Sequence, residues 1–471
     1  MYTRYLPISI AAIVCLSITQ QAGAAPADPH ESQGVELLRQ LISFDTSIGH
    51  GQVPVMAEYL ATRFRAAGFA DNDIHIFPLG DTASMVVRYA GKGSGGRPIL
   101  LMAHMDVVTA KRDDWVRDPF TLVEENGFFF GRGTLDVKCG VAALTSTILR
   151  LKAEGFVPSR DLLIVFTGDE ETSQHTAMDL AKNHRQLIDA EYALNSDGGG
   201  GQLDEQSGQP LSYSLQTAEK TYESFELTVR NPGGHSSLPR ADNAIYDLAA
   251  VLHRLQGYRF PVMSNETTLG YFRAVGKRTP GKLGAAMFAF AAHPQEGAAA
   301  ATLAAKPSYV GKTRTTCVPT LLRGGHADNA LPQSATVTVN CRIFPGVSVN
   351  SVQATLQRLA GPTVEFKRVA EPIESDASPL RADVVAAVTR ALHRRHPGVE
   401  VVPEQSSGAS DGAVFRGAGI PTYGSGEEFI KDSDSFAHGL NERLPVQSFY
   451  DGLDYWHALI TDLAGPVAAK N

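Results

Sequence analysis

The 471-residue sequence has only four cysteines and two tryptophans, no clustered basic run, and no long apolar stretch beyond its first two dozen residues. Four cysteines are too few for a disulfide-built scaffold, so a chain of this length must rest on hydrophobic cores. The 42 Lys and Arg are outnumbered by 50 Asp and Glu, a net charge of -8. Nucleic acid is therefore no expected partner, since nothing supplies the positive surface that phosphate binding needs. A small molecule or a peptide fits better. The mature chain is expected to have no membrane span.

The exception at the start reads as a signal peptide rather than as structure. Arg4 gives a positive n-region, Ile8 to Ile18 an apolar stretch, and Ala22-Gly23-Ala24 a small-residue cleavage site. That stretch is too short to cross a bilayer core of ~30 Å as a helix. A lipoprotein signal would need a small residue before Cys15, where Val14 stands. Residues 1–24 are thus expected to be removed, leaving a secreted or periplasmic protein. Three cysteines then remain. Cys317 and Cys341 lie in two β-branched runs, "TRTTCVPTLL" and "TVTVNCRIF", joined by "RGGHADNALP". If those strands pair, a disulfide can join them in an oxidising compartment. Cys139 is left as a buried thiol.

What is present is 43% hydrophobic residues in an alternating pattern. From Glu31 to Gln216, helical periods alternate with strands at Ser84 to Tyr89, Pro98 to Ala103, Leu162 to Thr167 and Tyr192 to Leu194, with a helix over Val141 to Lys152. That rhythm predicts an α/β layer with a mostly parallel sheet. From Tyr222 the pattern changes to an alternating strand, a helix over Asp242 to Leu255, the two cysteine-bearing strands, a helix over Val349 to Leu359 and a strand at Thr363 to Lys367. This reads as a small antiparallel α+β lid inserted into the first domain. The α/β pattern returns after Ala370, with helices near Asp383 to Arg394 and Val446 to Leu463. The expected boundaries are 31–218 and 369–466 for the catalytic domain and 219–368 for the lid. Pro261 to Lys312, rich in Ala and Gly, gives no clear assignment. "GKGSGGRP" at Gly91 to Pro98 is a loop and not a phosphate cradle, because no helix opens after it.

Chemistry-bearing residues gather where strands end. His104 and Asp106 in "HMDVV" follow a buried run and, two apart, point the same way. Asp136 in "GRGTLDVK", Glu170 and Glu171 in "TGDEET", Asp197 in "NSDGGG" and His438 in "AHGLNER" occupy comparable places. Each one alone reads equally well as a turn, a cap or a surface side chain. Ligands of open α/β sheets collect at the carboxyl ends of strands, and together these groups supply the imidazoles and carboxylates of a zinc pair.

The ordered set "LLMAHMDVV", "GRGTLDVKCG", "TGDEET", "NSDGGG", "NPGGHSS" and "AHGLNER" resembles the M20 metallopeptidases, the group of aminoacylase-1, carboxypeptidase S and glutamate carboxypeptidase. The resemblance covers nearly all of the mature chain. It implies a zinc-peptidase-like α/β catalytic domain with a ferredoxin-like lid, and a co-catalytic centre of two zinc ions, with cobalt or manganese as substitutes. Asp136 would bridge the ions, His104 and Asp197 would complete one site, and Glu171 and His438 the other. Asp106 would orient His104, because a ligating imidazole needs its second nitrogen held. Glu170 would be the general base, and two nearby metals would bring the pKa of a water towards about 7. His235 would reach a partner subunit's site and steady the oxyanion, implying a homodimer. Asn329 and Arg342 would hold the substrate carboxylate, and Gly408 and Ser410 would belong to a glycine-rich substrate loop. Val137 departs from the second acid that many members carry after the bridging aspartate.

The implied reaction is hydrolysis of an amide beside a free carboxylate, either as a carboxypeptidase releasing the C-terminal amino acid of short peptides or as an amidohydrolase that deacylates an N-acyl amino acid. A different chemistry competes, because Gly408-Ala409-Ser410-Asp411-Gly412 has the G-x-S-x-G form, with Asp434 and His438 following in triad order. That motif needs a strand leading into the serine, and the polar Pro403 to Ser407 does not read as one. A serine hydrolase would also leave His104, Asp136, Glu171 and Asp197 without a use. An inactive binding protein would have no chemical reason to keep Glu170 beside Glu171.

Overall fold

The computed structural model describes residues 28–466; the proposed signal segment, with Cys15, lies outside the described residues. Two sheets organise the chain. The larger runs in space as Ile74–Leu79, Thr82–Tyr89, Leu162–Thr167, Ile99–His104, Tyr192–Asn195, Thr422–Gly424, Pro210–Glu219, Gly200–Leu203 and Phe429–Ile430, with Val401–Ser406 added beside Pro210–Glu219. Its centre is parallel: Ile99–His104 pairs in parallel with Leu162–Thr167 on one side and with Tyr192–Asn195 on the other. Every residue of Ile99–His104 and Leu162–Thr167 is buried, which is why both read as unbroken apolar runs rather than as alternation. Helices Pro29–Ile42, Lys138–Ala153 and Val446–Ala464 cover one face, meeting in a core that includes Leu38, Leu144 and Trp456. Each such fully buried large apolar side chain contributes on the order of 1.5–3 kcal/mol.

The smaller sheet is antiparallel, in the order Thr316–Gly324, Ser334–Ile343, Thr221–Arg230, Glu365–Arg368. Helices Ala244–Gly257 and Val349–Ala360 pack on it through Leu248, Val251, Val352 and Leu356. Cys317 and Cys341 are register partners on adjacent strands and are joined by a disulfide. Cys139 is free and buried.

Three features depart from the sequence reading. Residues 261–312 are not irregular: helices Glu266–Arg278, Gly281–Ala292, Gly297–Ala304 and Pro307–Val310 form a bundle around Phe272, Met287, Phe290 and Leu303. Alanine favours helix strongly, and Asn265 with Thr268 forms a capping box at the start of the first. This bundle packs on Val401–Ser406. Gly270 lies so near Pro403 that an added Cβ would approach its Cγ to 2.7 Å, and Lys312 Nζ sits 2.9 Å from Glu404 Oε1. Second, Val401–Ser406 is itself a strand, although it reads as polar and contains Pro403. Among the described residues it pairs only with Pro210–Glu219, so its outer edge tolerates a residue that has no N–H to donate. Third, the helix Val53–Ala66 and the strands Ile74–Leu79 and Pro210–Glu219 extend the α/β layer beyond what periodicity showed.

Candidate dinuclear metal centre

Three adjacent parallel strands end at one crevice. His104 closes Ile99–His104, Glu170 and Glu171 follow Leu162–Thr167, and Asp197 follows Tyr192–Asn195. Asp136 comes from the turn before helix Lys138–Ala153, across a cis Asp136–Val137 peptide bond, and His438 from the loop before strand Arg443–Pro445. The donor atoms converge on Asp136. Its Oδ1 lies 3.1 Å from His104 Nε2 and its Oδ2 3.0 Å from His438 Nε2, which is also 2.9 Å from Glu171 Oε2. One carboxylate thus offers a different oxygen to each histidine, the arrangement a bridging ligand requires. Side-chain donor atoms of His104, Asp136 and Glu171, and likewise of His104, Glu170 and Asp197, fall within 4.8 Å of one another.

The electrostatics also fit a cationic occupant. Burial, with the charges of Asp136, Glu219 and Asp411 adding to it, pushes Asp197 up to about 8 against the pull of His104. Burial and Asp197 lift Glu170 well above the usual carboxylate range. Asp136 goes the other way: burial opposes ionisation, but hydrogen bonds from His104 and His438 hold it far below its ordinary value. His438 is raised to about 10 by Asp136 and Glu171. Acids crowded out of water beside imidazoles are costly unless divalent cations join them. Two imidazoles and a majority of carboxylate oxygens are a donor set for zinc, with cobalt or manganese also accommodated.

Asp106 does more than hold one ring. The nearest acceptor to His104 Nδ1 is the Asp106 backbone carbonyl at 3.0 Å, with Oδ1 at 3.4 Å. The carboxylate meanwhile accepts the backbone N–H of Glu170 at 3.1 Å and of Glu171 at 3.0 Å. It therefore fixes the histidine and the glutamate pair relative to one another. Among the described residues, no other residue hydrogen-bonds the Glu170 carboxylate, which leaves it free to take up a proton.

Glu442 was not singled out from the sequence, although it belongs to the "AHGLNER" stretch. Fully buried, it accepts the backbone N–H groups of Gly133, Leu135 and Asp136 on Oε1 at 3.1, 2.8 and 3.0 Å, and Arg132 on Oε2 at 2.6 Å. It thereby shapes the turn that presents Asp136. Glu442→Gln strands a buried guanidinium, and we expect a loss of roughly 3–5 kcal/mol in unfolding free energy. Denaturant titration reads it; a loss below 1 kcal/mol would contradict the role.

The remaining sequence candidates fall into two groups. Arg342 Nη1 donates to the Ser407 carbonyl at 2.9 Å, so the lid arginine does meet the loop that contains Gly408. His235 and Asn329 sit together on the lid, on the paired segments around Gly234–His235 and Ala330–Leu331, with the Ser236 N–H donating to the Asn329 carbonyl at 3.0 Å. Both are exposed, and neither hydrogen-bonds a predicted metal ligand among the described residues. Ser410 is buried and gives its hydroxyl to Glu219 Oε1 at 2.5 Å, and Glu219 also pairs with Arg416. It therefore braces the loop of Ser407 and Gly408 from behind. The strand before Ser410 removes the objection raised against a serine nucleophile, but the partners do not assemble. Asp434 pairs with Arg443, and His438 is taken by Asp136 and Glu171.

Known proteins resemble this chain in sequence and in fold. An N-fatty-acyl-amino acid synthase/hydrolase PM20D1 of Xenopus tropicalis is 29% identical over 74% of this chain and 69% of its own. Aminoacylase-1 of Mus musculus is 25% identical over 93% of this chain and 97% of its own. In fold, an M20 family metallo-carboxypeptidase, Sso-CP2 from Sulfolobus solfataricus, superposes with a TM-score of 0.68 at 18% identity, covering 92% of this chain and 99% of that one. The Bacillus subtilis YXEP protein, a dinuclear metal-binding peptidase, gives 0.58 at 13% identity over 93% and 99%. Residues 100–462 match the description peptidase family M20/M25/M40, and the chain belongs to that family of C–N bond hydrolases.

Proposed function

We propose that this chain is an exported dizinc amidohydrolase that cleaves an amide next to a free carboxylate, releasing the C-terminal amino acid from short peptides. The observation that carries the reading is Asp136 dividing its two oxygens between His104 and His438, with Glu170 unbound beside them. His104, Asp197, Glu171 and His438 would hold two metals, with Asp136 between them. When bound, those metals polarise the substrate carbonyl and lower the pKa of an attacking water. Glu170 then takes the proton of that water and delivers it to the leaving amine. Asp106 keeps base and ligands in register through the backbone N–H groups it accepts.

Arg342 and the Ser407 to Gly408 loop receive the substrate carboxylate, with Asn329 contributing from the lid. Arg342→Lys loses the planar fork that pairs with both oxygens. Its KM is expected to rise roughly tenfold to hundredfold, the worth of a charge-assisted hydrogen bond, with kcat changed little. Assays on dipeptides and N-acyl amino acids sharing one C-terminal residue test this, and an unaltered KM on every substrate would remove Arg342 from the site. The N-acyl-amino-acid reading is favoured by the two enzyme relatives and predicts turnover of the acyl substrates alone.

The homodimer is proposed on the lid. Thr316–Gly324 is an edge strand with Val318, Leu321 and Leu322 exposed, beside exposed Ile245 and Tyr246 on the next helix. An apolar edge of this kind suits pairing with a second copy, which would bring His235 to its partner's site. Light scattering that shows a monomer at working concentration would refute it. Export is supported by the Cys317–Cys341 disulfide, a bond of oxidising compartments. Finding the whole protein in the cytosol with residues 1–24 retained would refute that.

A further inference from the structure

A cavity of about 570 Å³ opens beside Asp136 and Asp197. The helical bundle supplies one wall through Tyr271, Val275 and Tyr309, and strand Val401–Ser406 supplies another. Most charged groups lining it away from the metal ligands are already engaged. Glu404 pairs with Lys312 at 2.9 Å, Arg278 donates to the Leu211 carbonyl at 2.7 Å, and Asp432 accepts from Gln202 at 3.1 Å.

Glu428 is the exception. Its Oε1 accepts only the weak donor Cys139 Sγ at 3.4 Å. Among the described residues, its Oε2 takes no hydrogen bond from another residue, and no cation pairs with it. The neighbouring Gly426 makes room for this carboxyl: a Cβ there would stand 2.6 Å from Oε2. Burial and the charge of Glu427 push the Glu428 carboxyl well up, as expected where positive charge is lacking. A third metal on Cys139, Glu427 and Glu428 is the competing use of the cluster. Glu427 Oε2 receives Trp456 Nε1–H at 2.7 Å and the Ser196 hydroxyl at 2.8 Å, while its Oε1 has no partner among the described residues, so the metal count in the test below decides between the two uses.

We propose that Glu428 is the specificity residue for the amine-side part of the substrate, its carboxylate receiving an ammonium group on the residue that precedes the scissile bond. This rests on the amidohydrolase reading above, and it narrows the substrates to short peptides that carry positive charge on that side. The ammonium comes either from a free α-amino terminus or from a basic side chain. Glu428 is half-buried, lines the cavity and has no cationic partner among the described residues, and a charge-assisted hydrogen bond formed there, partly shielded from bulk water, is strong.

The test uses the full-length metal-loaded protein and three substrates ending in leucine: Ala-Leu, N-acetyl-Lys-Leu and N-acetyl-Ala-Leu. Wild type should favour one of the two ammonium-bearing peptides over the neutral one by roughly tenfold to hundredfold in kcat/KM. Which of the two it favours identifies the source of the charge. Glu428→Gln should bring that ratio close to one, chiefly through KM, with two metals still bound per chain. The wild-type ratio is a readout that does not depend on how the variant folds. Equal or reversed preference in wild type, a ratio unchanged in Glu428→Gln, or a third metal that the variant loses would each overturn the assignment while leaving the amidohydrolase reading in place. No turnover of any of the three by loaded wild type overturns both.

Discussion

Glu170→Gln is expected to lower kcat by roughly 10²–10⁴-fold while two metal ions per chain remain bound. The two halves of that result come from different neighbours. Glu171, not Glu170, closes on His438 at 2.9 Å, so replacing Glu170 leaves the ligand pairs around Asp136 in place. Glu170 hangs from the same Asp106 clamp through its backbone N–H, which the substitution does not touch. Its carboxylate is the group whose affinity for a proton burial has raised, and a general base must accept and then release one. Elemental analysis and single-turnover kinetics on one preparation separate the two effects. A variant that keeps more than a tenth of wild-type kcat with full metal would show that another group moves the proton.

Asp136→Asn should abolish activity and reduce bound metal from two ions to one or none. A bridging carboxylate neutralises charge on both sides, whereas an amide offers one good oxygen and a donor nitrogen that repels a cation. The loss should match that produced by a chelator, and zinc should restore the chelated wild type but not the variant. Metal loading should also improve as pH rises. Without metal, His438 is held up to about 10 and His104 is raised by Asp106 and Asp136, so both carry protons at neutral pH. A metal must displace those protons, hence its apparent affinity climbs from pH 5 to pH 8. A calorimetric titration giving the same heat in buffers of different ionisation enthalpy would contradict this.

Part of the candidate metal centre is legible in the sequence because His104, Glu170, Glu171 and Asp197 follow strands that announce themselves, whereas Asp136 and His438 come from a turn and a loop and join the set through the resemblance. The runs before His104 and Glu170 are fully buried and apolar, and the place where such a strand stops is marked by its first polar residue. Glu442 was harder to see. Its role is to accept three backbone N–H groups, and a backbone partner leaves no pattern in side-chain identity. Ser410 shows the converse error. A motif placed it in the substrate loop, but the loop turns its hydroxyl inward to Glu219. The strand Val401–Ser406 is hidden by its polarity, which argues against a sheet, yet an edge strand that carries a helical bundle needs little apolar character of its own. The bundle itself escaped because Ala-rich helices bury small side chains, which blurs the periodicity that exposes a larger amphipathic helix.

The bundle of residues 266–310 lies within the stretch of chain between lid strands, yet it is fastened to the catalytic sheet by Gly270 on Pro403, Lys312 to Glu404 and Lys277 to Glu400. Chain order and mechanical allegiance therefore part company. The wall that the bundle gives the cavity beside Asp136 and Asp197 is anchored to the catalytic sheet, while Arg342 belongs to the lid sheet. A substitution in that wall can therefore reshape the cavity without touching the strand that carries Arg342.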